Sequence, residues 1–564
     1  NQLVFMKKTL LLWLFGLLLS TQVLAQNRSL SGTVKDATTG EALIGVNVTG
    51  KGTTIGTVTD IDGKYTLELP KDVTTLLFSY IGYTNLERPV NALKIDAAMV
   101  LEGKVLEELV VTAFGIKKEE KALTYSTQKL AGNQIDKARE TNIVNSLSGR
   151  IAGVQVTSSS GAVGASSRLI LRGGSSITGD NQPLYVIDGI PIDNKSYQDA
   201  GQGATSGGGF DMPNGIGSMN ADDIEDITVL KGAKASALYG IRAGNGVVLI
   251  TTKKGKSFKD NKPIGVSINT SLTFEKPLIL PDYQNSYGQG YNKDHFDFET
   301  AEGQDESWGP ALDKGLEYVQ WNSYTVGGKP LPWVSHPDNV KSIMNLGVTW
   351  NNSIALDGAT ENFSYRLSFG NNNQKGMIPN TDFNRYTVGL SASAKLVKGL
   401  TTEFSLNYIK EKSGNLPTVG YGSDNFFLQA TLFTGRNVDF AALRDWRNLP
   451  IYNGDPTYAS YGYAPINWNN LFENNPFWVL DNNLNTYNKD RLIGNILLRY
   501  ELHKYVTMQV RTGADFHSSF STERKAKGTA ASAGVTYADG FYREVHRNYY
   551  EQNTDALITY SQDF

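Results

Sequence analysis

The segment YTVGLSASA, residues 386–394, alternates apolar side chains with polar or small ones at every step. Successive side chains of a β-strand point to opposite faces of a sheet, so this period of two predicts a strand with one apolar face. The same alternation recurs through the second half of the chain, and an antiparallel sheet is therefore predicted there. The other alternating runs are residues 266–274, 346–350, 363–369, 404–408, 492–500, 506–510 and, more weakly, 556–560.

The connections between these runs differ in length in a regular way. Short turns alternate with long segments, a pattern typical of outer-membrane barrels with turns on one side and long loops on the other. Structureless connections this long would count against a compact soluble domain. We therefore predict part of a large antiparallel transmembrane β-barrel over residues 263–564. The short turns are 357–361, 397–399 and 503–504, and the long segments are 275–345, 371–384, 411–489 and 517–540.

The composition narrows the classes of protein further. The 564 residues include 57 glycines and 10% aromatic residues, which suits a β-rich chain with many turns. A net charge of −3 gives no basic footprint for nucleic acid, so no nucleic-acid partner is expected. The absence of cysteine excludes disulfides, thiolate metal sites and a cysteine nucleophile.

Residues 6–25 predict a secretory signal peptide. Lys7 and Lys8 form its positive start, an apolar run covers 9–19, and a small-residue cleavage site ends at Ala25. The apolar run is too short to span a bilayer as a helix. We therefore expect export, with cleavage near Ala25.

Residues 28–103 predict a small β-sandwich. Short strand-like runs follow one another with turn signals between them, at a spacing typical of such sandwiches. Asp62-Gly63 indicates a hairpin turn rather than a calcium loop, because an EF-hand needs its glycine at the sixth position of the loop. The runs are 30–35, 43–49, 56–59, 64–69 and 75–80.

Residues 122–256 predict a compact α+β domain. The segment LYVIDGIPI, residues 184–192, predicts a hairpin that turns at Asp188-Gly189. Helices and strands alternate around it, with glycines at their ends. The other predicted elements are a helix over 143–147 capped by Thr141, strands over 153–157, 167–172, 227–230 and 246–252, and a helix over 233–239 ended by Gly240.

No enzymatic constellation is found in the sequence. Gly255-Lys256-Ser257 is similar to the end of a P-loop, but Ile250 stands where the first glycine is required. The five histidines occur singly, and no Gly-x-Ser-x-Gly elbow is present. We therefore expect no catalytic residue, no metal ligand and no cofactor.

The segment EELVVTAFG, residues 107–115, lies between the two predicted domains. Its centre, residues 109–112, is aliphatic or β-branched at every position and favours an extended strand. It has no obvious local partner, and KKEEK, residues 117–121, predicts a solvated linker. Such a tethered strand can add to the sheet edge of another protein. The alternative is that these residues form the last strand of the preceding domain.

Together these segments resemble the TonB-dependent outer-membrane transporters of the SusC/RagA family, in the order expected for that family. Residues 28–103 resemble its carboxypeptidase-regulatory-like domain through SGTVKDATTGEALIGVNV and TDIDGKYTLELP. Residues 107–115 resemble the TonB box. Residues 122–256 resemble the plug domain through LRGGSSITGDNQPLYVIDGIPI and ADDIEDITVLKGAKASALYGIRAGNGVVLITTKKGK. The plug motif residues so implied are Arg172, Asp188, Gly189, Lys231, Gly232, Tyr239, Gly240, Arg242 and Gly246.

The resemblance implies active import of an oligosaccharide or a peptide across the outer membrane of a Gram-negative cell of the Bacteroidota type. The implied partners are TonB with ExbB and ExbD, a SusD-like surface lipoprotein and outer-membrane lipid. A siderophore or cobalamin receptor of the same architecture, or a non-transporting surface binding protein, is the alternative. The residues implied to bind TonB are Glu107, Glu108, Leu109, Val110, Val111, Thr112 and Ala113. Four basic residues of the plug are expected either to pair with acids of the barrel wall or to be solvated, namely Arg172, Lys231, Lys234 and Arg242.

Aromatic residues are concentrated in the predicted long loops. On extracellular loops, flat rings can stack on sugar rings or grip peptide side chains. The alternative for any one of them is packing within the loops or at the membrane interface. The candidates for ligand contact are Trp308, Trp321, Trp333, Tyr421, Trp446 and Trp468.

The eight predicted strands are too few to enclose a plug, because barrels that hold one have about 22 strands. The chain also begins at Asn1 rather than at a methionine. Either the chain is a fragment that lacks the rest of the barrel, or residues 122–256 are not a plug. We expect the fragment, with residues 1–5 coming from an upstream reading frame and Phe564 being a truncation point within a larger barrel.

Overall fold

The computed structural model describes most of the chain between residues 27 and 562. The chain divides into two compact units, Asn1–Glu108 and Leu109–Phe564. No helix among the described residues is both long and apolar enough to cross a membrane. The predicted signal peptide lies outside the described residues. The described ranges are 27–37, 39–100, 109–111, 117–119, 127–135, 139–177, 179–197, 209–231, 236–255, 264–301, 303–421, 424–530 and 537–562.

The first unit is a small β-sandwich. Its strands are β1 (Asn27–Asp36), β2 (Asn47–Gly50), β3 (Gly56–Val58), β4 (Lys64–Pro70), β5 (Thr75–Ser79), β6 (Leu86–Pro89) and β7 (Ala97–Met99). They form a three-stranded sheet of order β4-β1-β7 and a four-stranded sheet of order β3-β2-β5-β6. Tyr65, Leu67 and Leu69 of β4 are buried while the residues between them face solvent, as the period of two requires. The sequence did not predict β6 and β7, because runs this short show no clear period.

The second unit begins with two short strands that pair antiparallel, β8 (Leu109–Val111) and β9 (Lys117–Glu119). An α+β domain follows over residues 127–255, which we call the plug. Its strands are β10 (Thr127–Ala131), β11 (Val154–Ser158), β12 (Ser167–Leu171), β13 (Leu184–Ile187), β14 (Ile190–Ile192), β15 (Gly209–Phe210), β16 (Ile224–Leu230) and β17 (Val247–Thr252). Its helices are α1 (Gly132–Ile135) and α2 (Ser236–Tyr239), with 3-10 turns at Ile143–Leu147, Gly215–Ser218, Ala221–Asp223 and Ile241–Ala243.

The core of the plug is a five-stranded sheet of order β10-β16-β17-β13-β14. The predicted hairpin is confirmed: β13 and β14 pair antiparallel around Asp188 and Gly189, whose φ angles are 47° and 86°. Two successive positive φ angles are what a tight two-residue hairpin turn needs. The predicted cap was wrong by one residue, because the side chain of Asn142, not Thr141, accepts the bond from the Val144 amide. Residues 232–235, the predicted start of the helix before Gly240, lie outside the described residues.

The remainder of the second unit is one long antiparallel sheet, which we call the wall. Its strands are β18 (Gly265–Glu275), β21 (Gly347–Ala359), β22 (Phe363–Lys375), β23 (Asp382–Val397), β24 (Leu400–Ser413), β26 (Asn485–His503), β27 (Val506–Lys525) and β28 (Phe541–Tyr560), paired in that order. Every alternating run in the sequence therefore lies in a wall strand. β18 and β28 are the two edges of the sheet among the described residues.

The wall has its apolar face outside and its polar face inside. In β23, Val388 and Leu390 are exposed, whereas Arg385, Thr387 and Ser391 are buried. A soluble sheet would bury the apolar set, so this inversion is the pattern of a lipid-facing surface around a polar lumen. The observed fold is thus mainly β, with a sandwich, an α+β plug and part of a large antiparallel barrel.

The loops also contain short elements of their own. They are β19 (Glu317–Tyr318), β20 (Leu331–Pro332), β25 (Thr418–Val419), α3 (Phe298–Ala301), α4 (Asn339–Ser342), α5 (Phe426–Thr431), α6 (Phe440–Arg444) and α7 (Pro476–Asn482), with 3-10 turns at Ser323–Val326 and Trp446–Asn448. The long loop predicted at 371–384 was wrong. β22 continues to Lys375 and β23 starts at Asp382, because Asn372 and Gln374 face the polar inside of the wall and do not end the strand.

Candidate functional site

The predicted TonB box is paired within the chain. Val110 of β8 lies opposite Lys118 of β9. The prediction of a strand without a local partner, followed by a solvated linker, is therefore wrong for these residues, since closing so short a connection costs little entropy. The other edge of β8 has no partner strand among the described residues, so strand addition remains open to it. Four of the implied TonB-binding residues, Glu107, Glu108, Thr112 and Ala113, lie outside the described residues.

The plug lies against the polar face of the wall, and Arg491 of β26 is the most deeply buried contact. Its guanidinium binds both carboxylate oxygens of Asp515, with Nε at 2.8 Å and Nη2 at 2.6 Å. The same group donates to the backbone carbonyls of Gly215 and Asp193 of the plug, each at 2.8 Å. Both side chains of this pair are inaccessible to solvent. One wall arginine thus satisfies a wall acid and two plug carbonyls together.

Asp193 adds a second set of bonds at the same place. Its backbone amide donates to Asp515 Oδ2 at 2.9 Å, and its carboxylate accepts from the Tyr197 hydroxyl at 2.9 Å. His517 Nε2 of the wall lies 3.3 Å from Asp193 Oδ2, and the His517 ring stacks on Tyr549 with centroids 5.0 Å apart. The plug segment after β14 is therefore fixed to β26 and β27 by buried polar contacts.

A second polar contact holds the other side of the plug. Arg366 of β22 donates to Asp357 at 2.9 Å and to Asp223 of the plug at 3.1 Å. Asp222 of the plug accepts from the hydroxyl of Ser353 at 2.5 Å and from Arg139 at 3.0 Å. We call the polar plug–wall contacts together the seam. Its bonds are polar, and water can replace each of them when the plug moves.

The predicted plug cations contribute less to the seam than the wall arginines do. Arg242 forms the expected pair with a wall acid, Glu551, at 2.5 Å, although its side chain is 48% exposed. Lys231 donates instead to Gln128 within the plug at 3.2 Å. Arg172 is exposed, with a φ of 58°. Lys234 lies outside the described residues.

The remaining residues of the plug motif act on the backbone or the core. Gly189 lies so close to Arg511 that a Cβ there would be 1.6 Å from the guanidinium. Gly246 has a φ of 97°, and a Cβ there would be 2.5 Å from Leu171. Gly240 has a φ of 71°, and Tyr239 packs beside a small apolar cluster of the plug. Gly232 and Asp188 complete the motif; Gly232 is outside the described residues, and Asp188 accepts from the Thr252 amide at 2.9 Å.

Sequence reasoning missed four buried wall arginines, Arg366, Arg385, Arg491 and Arg511. Each of the four occupies a position that alternates with the apolar residues of its strand, on the polar face. That position was the one signal in the sequence that pointed to them. Arg385 donates to the carbonyls of Gly217 and Thr141 of the plug, and Arg511 binds Asp555 at 2.9 Å. The wall thus supplies most of the seam's positive charge.

The six predicted loop aromatics fall into two groups. Trp321, Trp333 and Trp468 are buried at 2%, 0% and 0% exposure, inside packed loop cores. They are unavailable to a ligand in this state, because aromatic rings in a loop gain more from packing on one another than from facing water. Trp308 and Tyr421 are 62% and 50% exposed, and ligand contact stays a prediction for them. Trp446 is half-buried, with its indole N–H on Asp481 at 3.0 Å and Arg447 over its ring.

Two acids in the loops, the buried Glu473 and the half-buried Asp305, form no ion pair with an arginine or lysine among the described residues. Burial raises the pKa of Glu473 to about 8, and the nearby Asp305 carboxylate raises it as well. Burial also raises the pKa of Asp305 to about 6, although Asn469 donates to its carboxylate. Glu473 is 4% exposed and its Oε2 has no hydrogen-bond partner. In the part of the chain that the structure describes, no group of three or more His, Cys, Asp or Glu side chains is placed to hold a metal.

Comparisons with known proteins agree with this architecture. Residues 30–111 match the family described as CarboxypepD_reg-like domain, and residues 119–247 match the TonB-dependent Receptor Plug Domain. The chain is 30% identical over 579 residues to TonB-dependent receptor SusC of Bacteroides thetaiotaomicron, covering 98% of this chain and 49% of that protein. It is 30% identical over 507 residues to TonB-dependent receptor P26 of Formosa agariphila, covering 87% of this chain and 43% of that protein.

A solved structure of the RagAB peptide importer in its open-open state has the same fold, with a TM-score of 0.53 at 20% identity. That similarity covers 80% of this chain and 47% of the other. The chain thus spans about half the length of the curated relatives it matches. The match to the CarboxypepD_reg-like domain reaches residue 111 and therefore includes β8. In the structure, however, β8 belongs to the second compact unit, which begins at Leu109. The two family matches and the similarity to SusC, which extends over nearly the whole of this chain, show that the chain belongs to the TonB-dependent receptors of the SusC/RagA family.

Proposed function

We propose that the protein imports an oligosaccharide or a peptide across the outer membrane, and that TonB drives import by remodelling the plug. The observation that carries the proposal is the seam around Arg491, which joins the plug to the wall through bonds that water can replace. The arginine and carbonyl contacts can be hydrated when the plug moves. Apolar contacts also join the plug to the wall, since Ile409 and Ile493 of the wall lie in the plug's core cluster, and moving the plug exposes that surface.

The path of force follows the order of the elements. TonB is proposed to bind residues 107–113 by strand addition, with ExbB and ExbD coupling it to the inner-membrane proton gradient. The next described plug strand along the chain is β10, which is an edge of the plug sheet and, among the described residues, pairs with β16 alone. A pulling force on residues 107–113 therefore acts on the edge strand β10 before it reaches the rest of the plug sheet. One charge crossing 100 mV supplies about 2.3 kcal/mol, so several charges are needed to break a seam of this kind.

The remaining parts of the proposal follow from the family. Residues 6–25 direct export and are removed near Ala25, and the exposed apolar face of the wall contacts outer-membrane lipid. A SusD-like lipoprotein is proposed to cover the loops and hand over the ligand. No residue is proposed to act in catalysis. Uptake assays with labelled oligosaccharides and labelled peptides, each competed by the other, would assign the substrate class.

The replacement Val110→Pro tests the mechanism in cells that express the complete protein. Proline removes the amide donor of residue 110 and opposes strand pairing. We expect ligand uptake to fall to the background of a strain lacking TonB, while ligand binding at the cell surface is unchanged.

The matched control is Val110→Ala, which keeps the backbone amide and should retain most of the uptake. Normal uptake by Val110→Pro would overturn the role of the box, and loss of surface binding would show a folding defect.

A further inference from the structure

One strand of the plug pairs with one strand of a loop. β15 of the plug, residues 209 and 210, lies antiparallel to β25 of the loop that joins β24 to β26. Gly209 stands opposite Val419, and Phe210 opposite Thr418. Each strand is two residues long, so the joint contains few backbone hydrogen bonds. This loop is one of the long connections, on the side of the wall opposite the short turns.

The plug side of this joint is rigidly held. Asp211, which follows β15, is 1% exposed and accepts hydrogen bonds from the hydroxyls of Ser160 and Ser166, each at 2.6 Å. The carbonyl of Met212 accepts from the Ser196 hydroxyl at 2.9 Å. Phe210 itself is 5% exposed. β15 therefore moves with the plug when the plug moves.

The loop side is held just as firmly, but to the wall. The Leu416 amide donates to the Asn485 carbonyl of β26 at 2.8 Å, and the Asn485 side chain donates back to the Leu416 carbonyl at 3.0 Å. The Thr418 hydroxyl donates to Asp424 at 2.9 Å. β25 therefore stays with the wall.

An apolar cluster sits beside the joint and is divided in the same way. Val163 and Met212 come from the plug, whereas Phe383, Leu416 and Tyr487 come from the wall and its loop. Gly164 approaches the Phe383 ring so closely that a Cβ would lie 2.7 Å from it. The joint and the cluster thus form one contact between the plug and the outer part of the wall.

We propose that the β15–β25 pair is a catch that holds the plug closed from the loop side and must open on every import cycle. This inference rests on the proposed function. Because each strand is fixed to a different body, plug movement cannot occur without separating them. The pair is short enough to break and reform. Tyr421 lies two residues after β25 and is half exposed. A ligand that binds the loops at Tyr421 can therefore shift the equilibrium between the paired and the separated strands.

A reversible cross-link tests the catch, and these 564 residues contribute no cysteine that could compete with the introduced pair. Phe210→Cys and Thr418→Cys together place two thiols on facing residues, whose Cα separation in an antiparallel pair suits a disulfide. Gly209 is left intact because its φ of 149° disfavours a side chain. We expect oxidation to reduce uptake at least tenfold without changing surface ligand binding, and a reductant to restore it. Uptake that continues after oxidation, or a pair that does not cross-link, would overturn the proposal.

The matched control is Thr512→Cys with Thr554→Cys, a facing pair within the wall whose hydroxyls are 2.9 Å apart. Its oxidation should leave uptake unchanged, because neither strand leaves the wall. Val110→Pro is assayed in parallel: if it transports normally, the proposed function fails. If it blocks uptake while the oxidised catch does not, only the catch fails.

The single variant Thr418→Cys gives a second test that keeps the Phe210 side chain. A packing defect caused by replacing Phe210 in the double variant cannot affect it. A membrane-impermeant maleimide should label it several-fold faster during import than at rest. The increase should vanish in the Val110→Pro background. Equal labelling at rest and during import would contradict an opening catch.

Discussion

The seam and the loops both bury acids but give them different partners. Asp515 in the seam is inaccessible to solvent and pairs with Arg491. Glu473 in the loops is 4% exposed, and the described residues give it no ion pair. Burial by itself favours the neutral acid, and a bonded guanidinium opposes that effect. The two regions therefore differ in the partner of the buried acid rather than in the depth of its burial.

This difference matters for movement. The interior of the plug is an apolar cluster that includes Ile227, Val229 and Leu169, and Ile409 and Ile493 of the wall pack into it. That cluster keeps the plug intact, because exposing it to water is costly. The seam is the boundary where the plug can separate, since its arginines and carbonyls can be hydrated on both sides.

The largest effect is expected from Arg491→Ala. Removing one partner of a buried ion pair leaves Asp515 uncompensated and costs about 3–5 kcal/mol. Two plug carbonyls also lose their donor. We expect the plug to leave its seat spontaneously, measured as ion conductance in planar bilayers and as sensitivity of cells to large antibiotics.

The double variant Arg491→Met with Asp515→Leu removes both charges and is the control. It should leak less than Arg491→Ala, because no charge is left buried without a partner. Equal leakage would mean that the seam depends on the carbonyl contacts alone.

A smaller, pH-dependent effect is expected in the loops. The pKa of Glu473 is raised from its ordinary 4.5 to about 8, so the folded state holds its proton more tightly than the unfolded chain does. This contribution to stability is fully present below about pH 4.5 and is lost as the pH rises towards 8. We expect the melting temperature of the loops around Glu473 to fall as the pH rises from about 4.5 to about 8.

Glu473→Gln replaces the neutral acid with a neutral amide of similar shape, and it should flatten the dependence on pH. Melting monitored by tryptophan fluorescence reports on this region, since Trp468 lies close to it in sequence and is buried. An unchanged slope in the glutamine variant would assign the pH dependence to another group.

The smallest effect is expected from Arg242→Gln. Its pair with Glu551 is half exposed, and such pairs contribute under about 1 kcal/mol. We expect conductance and uptake close to wild type, in contrast to Arg491→Ala. A leak as large as that of Arg491→Ala would show that exposed seam pairs matter as much as buried ones.

Local patterns in the sequence were enough to predict the strands of the wall, because apolar and polar residues alternate along them with a period of two. Residues 386–394 and the other alternating runs all lie in wall strands, and Asp188-Gly189 makes its turn. The extent of the strands was underestimated, because polar residues such as Asn372 were taken as loop when they face a polar lumen. A short strand such as β6 or β7 has no period to detect.

The contacts of the site were harder to predict. Trp333 and Trp308 have the same residue type in the same loop, yet one is buried and the other exposed. The partner of the box, β9, was assigned to a linker because its lysines look solvated. Both errors have one cause: composition gives the character of a segment and not its neighbours.

The sequence by itself determined that this is a β-rich wall with a polar and an apolar face, preceded by an α+β domain and a sandwich, because periodicity and turn residues are local properties. Only the tertiary structure decided that the polar face is the inner one, that Arg491 grips the plug's backbone, and that a loop strand pairs with β15. Those contacts join residues far apart in the chain, and their energies depend on burial and on the partner, which no local pattern encodes.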